Sequence, residues 1–143
     1  MKCSYGISIV IAFLYFGEAG AQNYSDIASQ RYAESRSESL QCYREAIAIA
    51  ARSDLEIDAA VKATIDMCTT QLMRMNEDRC HSIFWSENPL SKALADTFSS
   101  FQNPESACTE TYLESDIKGL QGYAKRRILE IRYPAPKDGA VAK

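Results

Sequence analysis

No Cys-x-x-Cys pair occurs in this chain, no Gly-x-Ser-x-Gly elbow, and only one histidine, His81. Without closely paired cysteines, the ligand spacing of a zinc site and the dithiol of a redox centre are both missing. A histidine-based triad would have to use His81, with no nucleophile elbow to accompany it. Covalent haem attachment needs Cys-x-x-Cys-His, and Glu77 stands three residues before Cys80, so Cys80-His81 does not meet that pattern. These gaps leave no metal, no cofactor and no assigned catalytic residue, and the chain reads as a non-enzyme.

Long apolar runs are also scarce. The single one, Ile7 to Phe16, is closed by Gly17, Glu18 and Gly20. It spans about 15 Å as a helix, short of the ~30 Å hydrocarbon core of a bilayer. Preceded by Lys2 and followed by Ala19 and Ala21, it reads as a signal peptide, residues 1–21, cleaved after Ala21. The mature chain is then expected to be secreted, or periplasmic in a bacterium, and not to span a membrane. Asn23-Tyr24-Ser25 forms a glycosylation sequon at its start.

Removing residues 1–21 takes Cys3 away and leaves Cys42, Cys68, Cys80 and Cys108. An even set in an oxidising compartment points to two disulfides. A helical hairpin turning at Ser53 sets Cys42 and Cys68 at similar heights, which favours Cys42–Cys68 with Cys80–Cys108. A chain folding back after Met75 would favour Cys68–Cys80 with Cys42–Cys108 instead. The mature chain can bury one core but hardly two, so residues 22–133 read as a single domain.

Prolines are few, and before Pro134 they stand only at Pro89 and Pro104, each after an asparagine. Asn-Pro suits an N-cap followed by a first-turn proline, because proline has no N–H to lose there. Apolar residues recur at three and four, the helical period. Four helices are expected, near 25–52, 54–76, 89–102 and 104–132. The first opens at Ser25, and its early serine-rich turns fit least well. The second has Ser53 and Glu56 in capping-box spacing, with Ile57, Val61, Ile65, Cys68, Leu72 and Met75 on its core stripe. The third presents Leu90, Ala93, Leu94, Phe98 and Phe101. The fourth presents Leu113, Ile117, Leu120, Ala124, Ile128 and Ile131. Gly119 and Gly122 weaken its middle and mark a place for a kink or a close helix contact. Residues 134–143 read as a flexible C-terminal tail. The expected fold is all-α, a small antiparallel four-helix bundle stapled by two disulfides.

Residues 75–85, MNEDRCHSIFW, then read as a disulfide corner, with Ile83, Phe84 and Trp85 covering the end of the bundle. Adjacent helical residues point about 100° apart, so Cys80 and His81 do not pair directly. The acidic clusters Asp54/Glu56/Asp58, Glu77/Asp78 and Glu110/Glu114 read as solvated faces.

Charge is segregated along the chain. Residues 22–117 hold 16 acids against 8 bases, and residues 118–143 hold 2 against 7. The basic end, with Lys118, Lys125, Arg126, Arg127, Arg132 and Lys137, suits docking to an anionic partner such as another protein. Nucleic acid is excluded by the secreted address and the formal net charge of −3. The functional expectation is a helical interaction protein that binds, inhibits or neutralises another macromolecule through its surface. The alternative is a carrier of a small apolar ligand, its cavity lined by Met67, Phe98, Phe101, Tyr112 and Tyr123.

Overall fold

The computed structural model describes the backbone of residues 7–135 and the side chains of residues 24–135. Four helices account for it: α1 (Ile7–Arg52), α2 (Ile57–Trp85), α3 (Pro89–Phe98) and α4 (Pro104–Arg132). Among the described residues there is no strand. Cys3, Lys137 and most of the 134–143 tail lie outside them, as does the Asn23 side chain.

The asparagine caps form as expected. The Asn88 side chain accepts from Leu90 N at 2.8 Å, and that of Asn103 accepts from Ser106 N at 3.3 Å, each with a proline in the first turn. Three expected boundaries are corrected. Helix α1 begins at Ile7 rather than near Ser25 and runs through Ala21 without a break, because no proline interrupts it and Gly17 and Gly20 cost only about 1 kcal/mol each. Helix α2 continues past Met75 to Trp85, since nothing before the Asn88-Pro89 pair stops it. Helix α3 ends at Phe98, and Phe101 lies in the turn beyond it. The Ser53/Glu56 capping box is absent: Ser53 Oγ donates back to Ala50 O at 2.7 Å, and Glu56, the N-cap of α2, makes no side-chain cap bond.

Helix α1 runs antiparallel to α2, as Tyr24 beside Trp85, Glu38 bonded to Arg74 and Cys42 bridged to Cys68 together require. Helix α4 returns alongside α1, its start tied to the lower part of α2 by Cys80–Cys108 and its end reaching the α1–α2 turn. Both bridges match the favoured connectivity. Helix α2 is the central element, touching α1, α4 and α3, whereas α3 packs only on α2 and α4.

The main core joins Ile47 and Ala50 of α1, Ile65, Cys68 and Leu72 of α2, and Ala124 and Ile128 of α4. A smaller cluster at the lower end collects Cys80, Phe98 and Cys108, with Ile83, Phe84 and Tyr112 packed on it. Leu90, Ala93 and Phe101 do not join that cluster: all three are exposed, because α3 is one short helix that packs only on α2 and α4. Ile131, expected on the core stripe of α4, is also exposed.

The upper end is closed by Arg132. Its Nε donates to Ala51 O at 3.1 Å, Nη1 to Leu55 O at 2.7 Å, and Nη2 to Ala50 O and Ser53 O at 2.9 and 2.8 Å. Two of these acceptors, Ala50 O and Ala51 O, are carbonyls in the last turn of α1, beyond its own i→i−4 bonds; Ala50 O also accepts from Ser53 N and Oγ. Arg132→Ala is expected to lower stability by about 1.5–3 kcal/mol in urea unfolding, and Arg132→Lys to restore little, because an ammonium lacks the planar fork.

Helix α4 passes uninterrupted through Gly119 and Gly122, and a Cβ at either position meets nothing within 4 Å. The glycines therefore mark neither a break in the helix nor a close contact within the molecule. Gly119→Ala and Gly122→Ala should each raise unfolding stability by about 0.4–1 kcal/mol; loss of stability in either variant would show a backbone requirement at that position.

Candidate functional site

With α2 helical to Trp85, residues 75–85 form the last three turns of a helix rather than a corner. Cys80 points inward to its bridge with Cys108 and is fully buried, while His81 faces out. Ile83 and Phe84 pack on the lower core as expected. Trp85 does not: it is half-exposed, with ring centroids 5.6 Å from His81 and 6.1 Å from Tyr24. His81 lines an open cleft of about 510 Å³ with Arg31, Glu77, Asp78, Glu105 and Glu110. The adjacent thiol is consumed in a disulfide and is no nucleophile. Among the described residues, no group of three or more His, Cys, Asp or Glu side chains could hold a metal ion.

The five aromatic and methionine residues read as a ligand cavity are divided. Phe98 and Tyr112 pack together in the lower cluster with ring centroids 6.3 Å apart, and the exposed ring of Phe101 lies beside it, 6.3 Å from that of Phe98. The Arg79 guanidinium covers Tyr112 at 3.7 Å. Met67 and Tyr123 are exposed, on α2 and α4, outside this cluster.

The basic residues of α4 fall into two uses. Arg132 is tied into the α1–α2 turn, as described above. The other four stay on the surface in ion pairs: Lys118 with Glu114 at 2.7 Å, Lys125 with Asp58 at 2.9 Å, and Arg126 and Arg127 both with Glu130. The hydrogen bond from Lys118 and its charge hold the Glu114 carboxyl below its ordinary pKa. Exposed pairs of this kind contribute little to stability, so their cations remain open to exchange for another anion.

Around Arg126 the surface is apolar as well as basic. A concavity of about 490 Å³ is lined by Gly122, Lys125, Arg126, Leu129, Glu130 and Tyr133. Tyr133 is 70 % exposed, and Tyr123, Leu129 and Ile131 are also uncovered. Gly122, Arg126, Leu129 and Tyr133 recur at i, i+4, i+7 and i+11, a stripe on one helix face. That face lies away from Ala124 and Ile128, which point into the core. Charge counting alone finds the arginines and misses Leu129 and Tyr133. The helical period, followed on the outer side of α4 as well as the inner, would have found both.

A second concavity, about 310 Å³, lies between α1, α2 and α4, bounded among others by Arg36, Tyr43, Met75, Arg79 and Asp116. Tyr43 lies on the core face of α1 and is 2 % exposed. Its hydroxyl has no hydrogen-bond partner, and burial pushes its pKa up to about 12.

Compared with known proteins, the chain matches no family model, no curated protein and no solved structure. Its chemistry rests on the geometry above.

An unfolded tyrosine ionises near 10, so between about pH 10 and 12 the unfolded chain loses a proton that folded Tyr43 retains. Its contribution to stability is complete below pH 10 and is lost as pH rises through that window. The alkaline fall in unfolding free energy should therefore be shallower in Tyr43→Phe than in the wild type; equal slopes would place the tyrosine in water.

Proposed function

We propose that the protein is a non-catalytic binding module, secreted after loss of residues 1–21, that docks an acidic protein surface on the C-terminal half of α4. The observation that carries this reading is the coincidence of Arg126 and Lys125 with exposed Leu129 and Tyr133 on one rigid helical face. Tyrosine and arginine are the side chains that most often anchor protein interfaces, since each joins apolar area to a directed polar group. A contiguous apolar patch rimmed by charge is uncommon on a monomer without a partner. The two disulfides fit an oxidising, extracellular-type environment. Among the described residues, no helix is long and apolar enough to cross a membrane.

An acidic protein suits the patch better than a purely anionic surface. Lys125, Arg126 and Arg127 already have carboxylate partners, which a competing carboxylate can displace, while Leu129 and Tyr133 require apolar contact. Inhibition or neutralisation follows wherever the partner's acidic face is itself functional.

The test is capture from source secretions with the wild type, Arg126→Glu/Arg127→Glu, Tyr133→Ala and a control on the exposed surface of α3, Lys92→Glu. The charge reversal and Tyr133→Ala should each weaken capture of the same acidic protein at least tenfold with melting unchanged, and the control should retain it. Equal capture by all four proteins would remove α4 from the interaction.

A further inference from the structure

We infer that the acidic surface recognised by the C-terminal half of α4 is the lower-end cleft of a second copy of this chain, so that copies join head to tail. The inference rests on the docking face proposed above and names its partner. The Cys80–Cys108 bridge, with Cα atoms 6.0 Å apart, holds the start of α4 against the last turns of α2. Glu77 and Asp78 on α2 and Glu105 and Glu110 on α4 lie within one turn of those cysteines, and all four line the open cleft of about 510 Å³, with Arg31 as its one strong base. Among the described residues none of these four carboxylates takes part in an ion pair, whereas Lys125, Arg126 and Arg127 at the upper end all do.

The two surfaces match in more than sign. Basic groups of one copy leave weak, exposed pairs with Asp58 and Glu130 for carboxylates that have no such partner to lose. The cleft is also partly apolar: Met73 in its wall is 41 % exposed, and half-exposed Trp85 lies beside the lining residue His81, ring centroids 5.6 Å apart. These side chains offer Leu129 and Tyr133 the apolar contact that a purely charged surface lacks. Arg126 is 16 residues beyond Glu110 on the same helix, about 24 Å along its axis and about 160° around it. Face and cleft therefore point in different directions. One contact leaves a free cleft at one end of the pair and a free α4 face at the other, the pattern of heterologous association.

Sedimentation velocity of the full mature chain over a concentration series tests the assignment, alongside Arg126→Ala/Tyr133→Ala, Glu77→Lys/Glu110→Lys and an equimolar mixture of the two variants. All four altered side chains are exposed, and a thermal melt checks that each variant folds. The wild type should grow past a dimer as concentration rises, and high salt should weaken that growth by screening exposed charges. Each variant alone should stay monomeric at about ten times the concentration at which the wild type assembles, a tenfold loss of affinity. Mixed, they should form a 1:1 dimer and nothing larger, because the first keeps its cleft and the second its α4 face. A wild type monomeric at every concentration, assembly that persists in either variant alone, or variants that stay apart when mixed would overturn the inference. Capture of a different acidic protein by such a monomeric wild type, lost in Arg126→Glu/Arg127→Glu, removes the second copy as partner and leaves the docking face standing; absence of both assembly and capture removes the face as well.

Discussion

The arrangement of the whole molecule depends on the two half-cystines carried by α2. Cys68 and Cys80 lie about 18 Å apart along the helix at 1.5 Å per residue, and their side chains point about 120° apart at 100° per residue. One therefore reaches α1 and the other α4, with Cα separations of 5.9 and 6.0 Å. A single helix is thereby bolted to each long neighbour at a different height and on a different side. Each bridge closes a loop of fewer than 30 residues. Such a loop restricts the unfolded chain by an amount on the order of 3 kcal/mol, within a small domain's total stability of about 5–15 kcal/mol.

Close approach of α1 and α2 also needs small side chains between them, and these are supplied by residues that look unpromising in the sequence. Ala28, Ser35, Ser39, Ala46 and Ala50 of α1 are buried, as are Ala60 and Thr64 of α2. The serines are not loop signals here. Ser35 Oγ donates to Tyr32 O, and on α2 Thr64 and Asn76 donate to carbonyls one turn back. Local bonding of this kind settles a polar group without a partner across the interface. Asn76 Oδ1 and the Tyr43 hydroxyl are left unpaired. The tight, partly polar seam thus carries its residual cost at a few identifiable atoms, and Tyr43 borders the concavity between α1, α2 and α4.

How much of this was legible follows from where local chemistry decides. The span of α4, 104–132, was readable because Asn103-Pro104 starts it and the residues before Pro134 end it. The disulfide pairing followed from a hairpin whose turn was correctly placed. Met75 was a poor choice of end for α2, since neither glycine nor proline follows until Pro89. The orientation of Trp85 was not legible, because tryptophan serves equally as core or as surface, and only the position of Tyr24 across from it decides. The basic end was legible as charge. Its division was not, for nothing in the order of residues says that Arg132 is held by four carbonyls while Arg126 stays on the surface.

The bare outer side of α4 has a geometric origin in the short third helix. Helix α3 has 10 residues and α4 has 29, about 15 Å against 43 Å at the helical rise. A helix of that length can cover only about a third of its neighbour. Tyr112 and Tyr123 show the result, since eleven residues is close to three full turns and places both on the same side of α4. Tyr112 lies at the lower end, packed against Phe98 of α3 and capped by Arg79. Tyr123, three turns higher, has no such cover and is 41 % exposed, with Arg126 at 5.9 Å from its ring. The bundle therefore has four helices at its lower end and three at its upper end. The side of α4 that a longer α3 would have buried presents aromatic, aliphatic and basic groups to solvent, on a helix whose far end Arg132 holds in place.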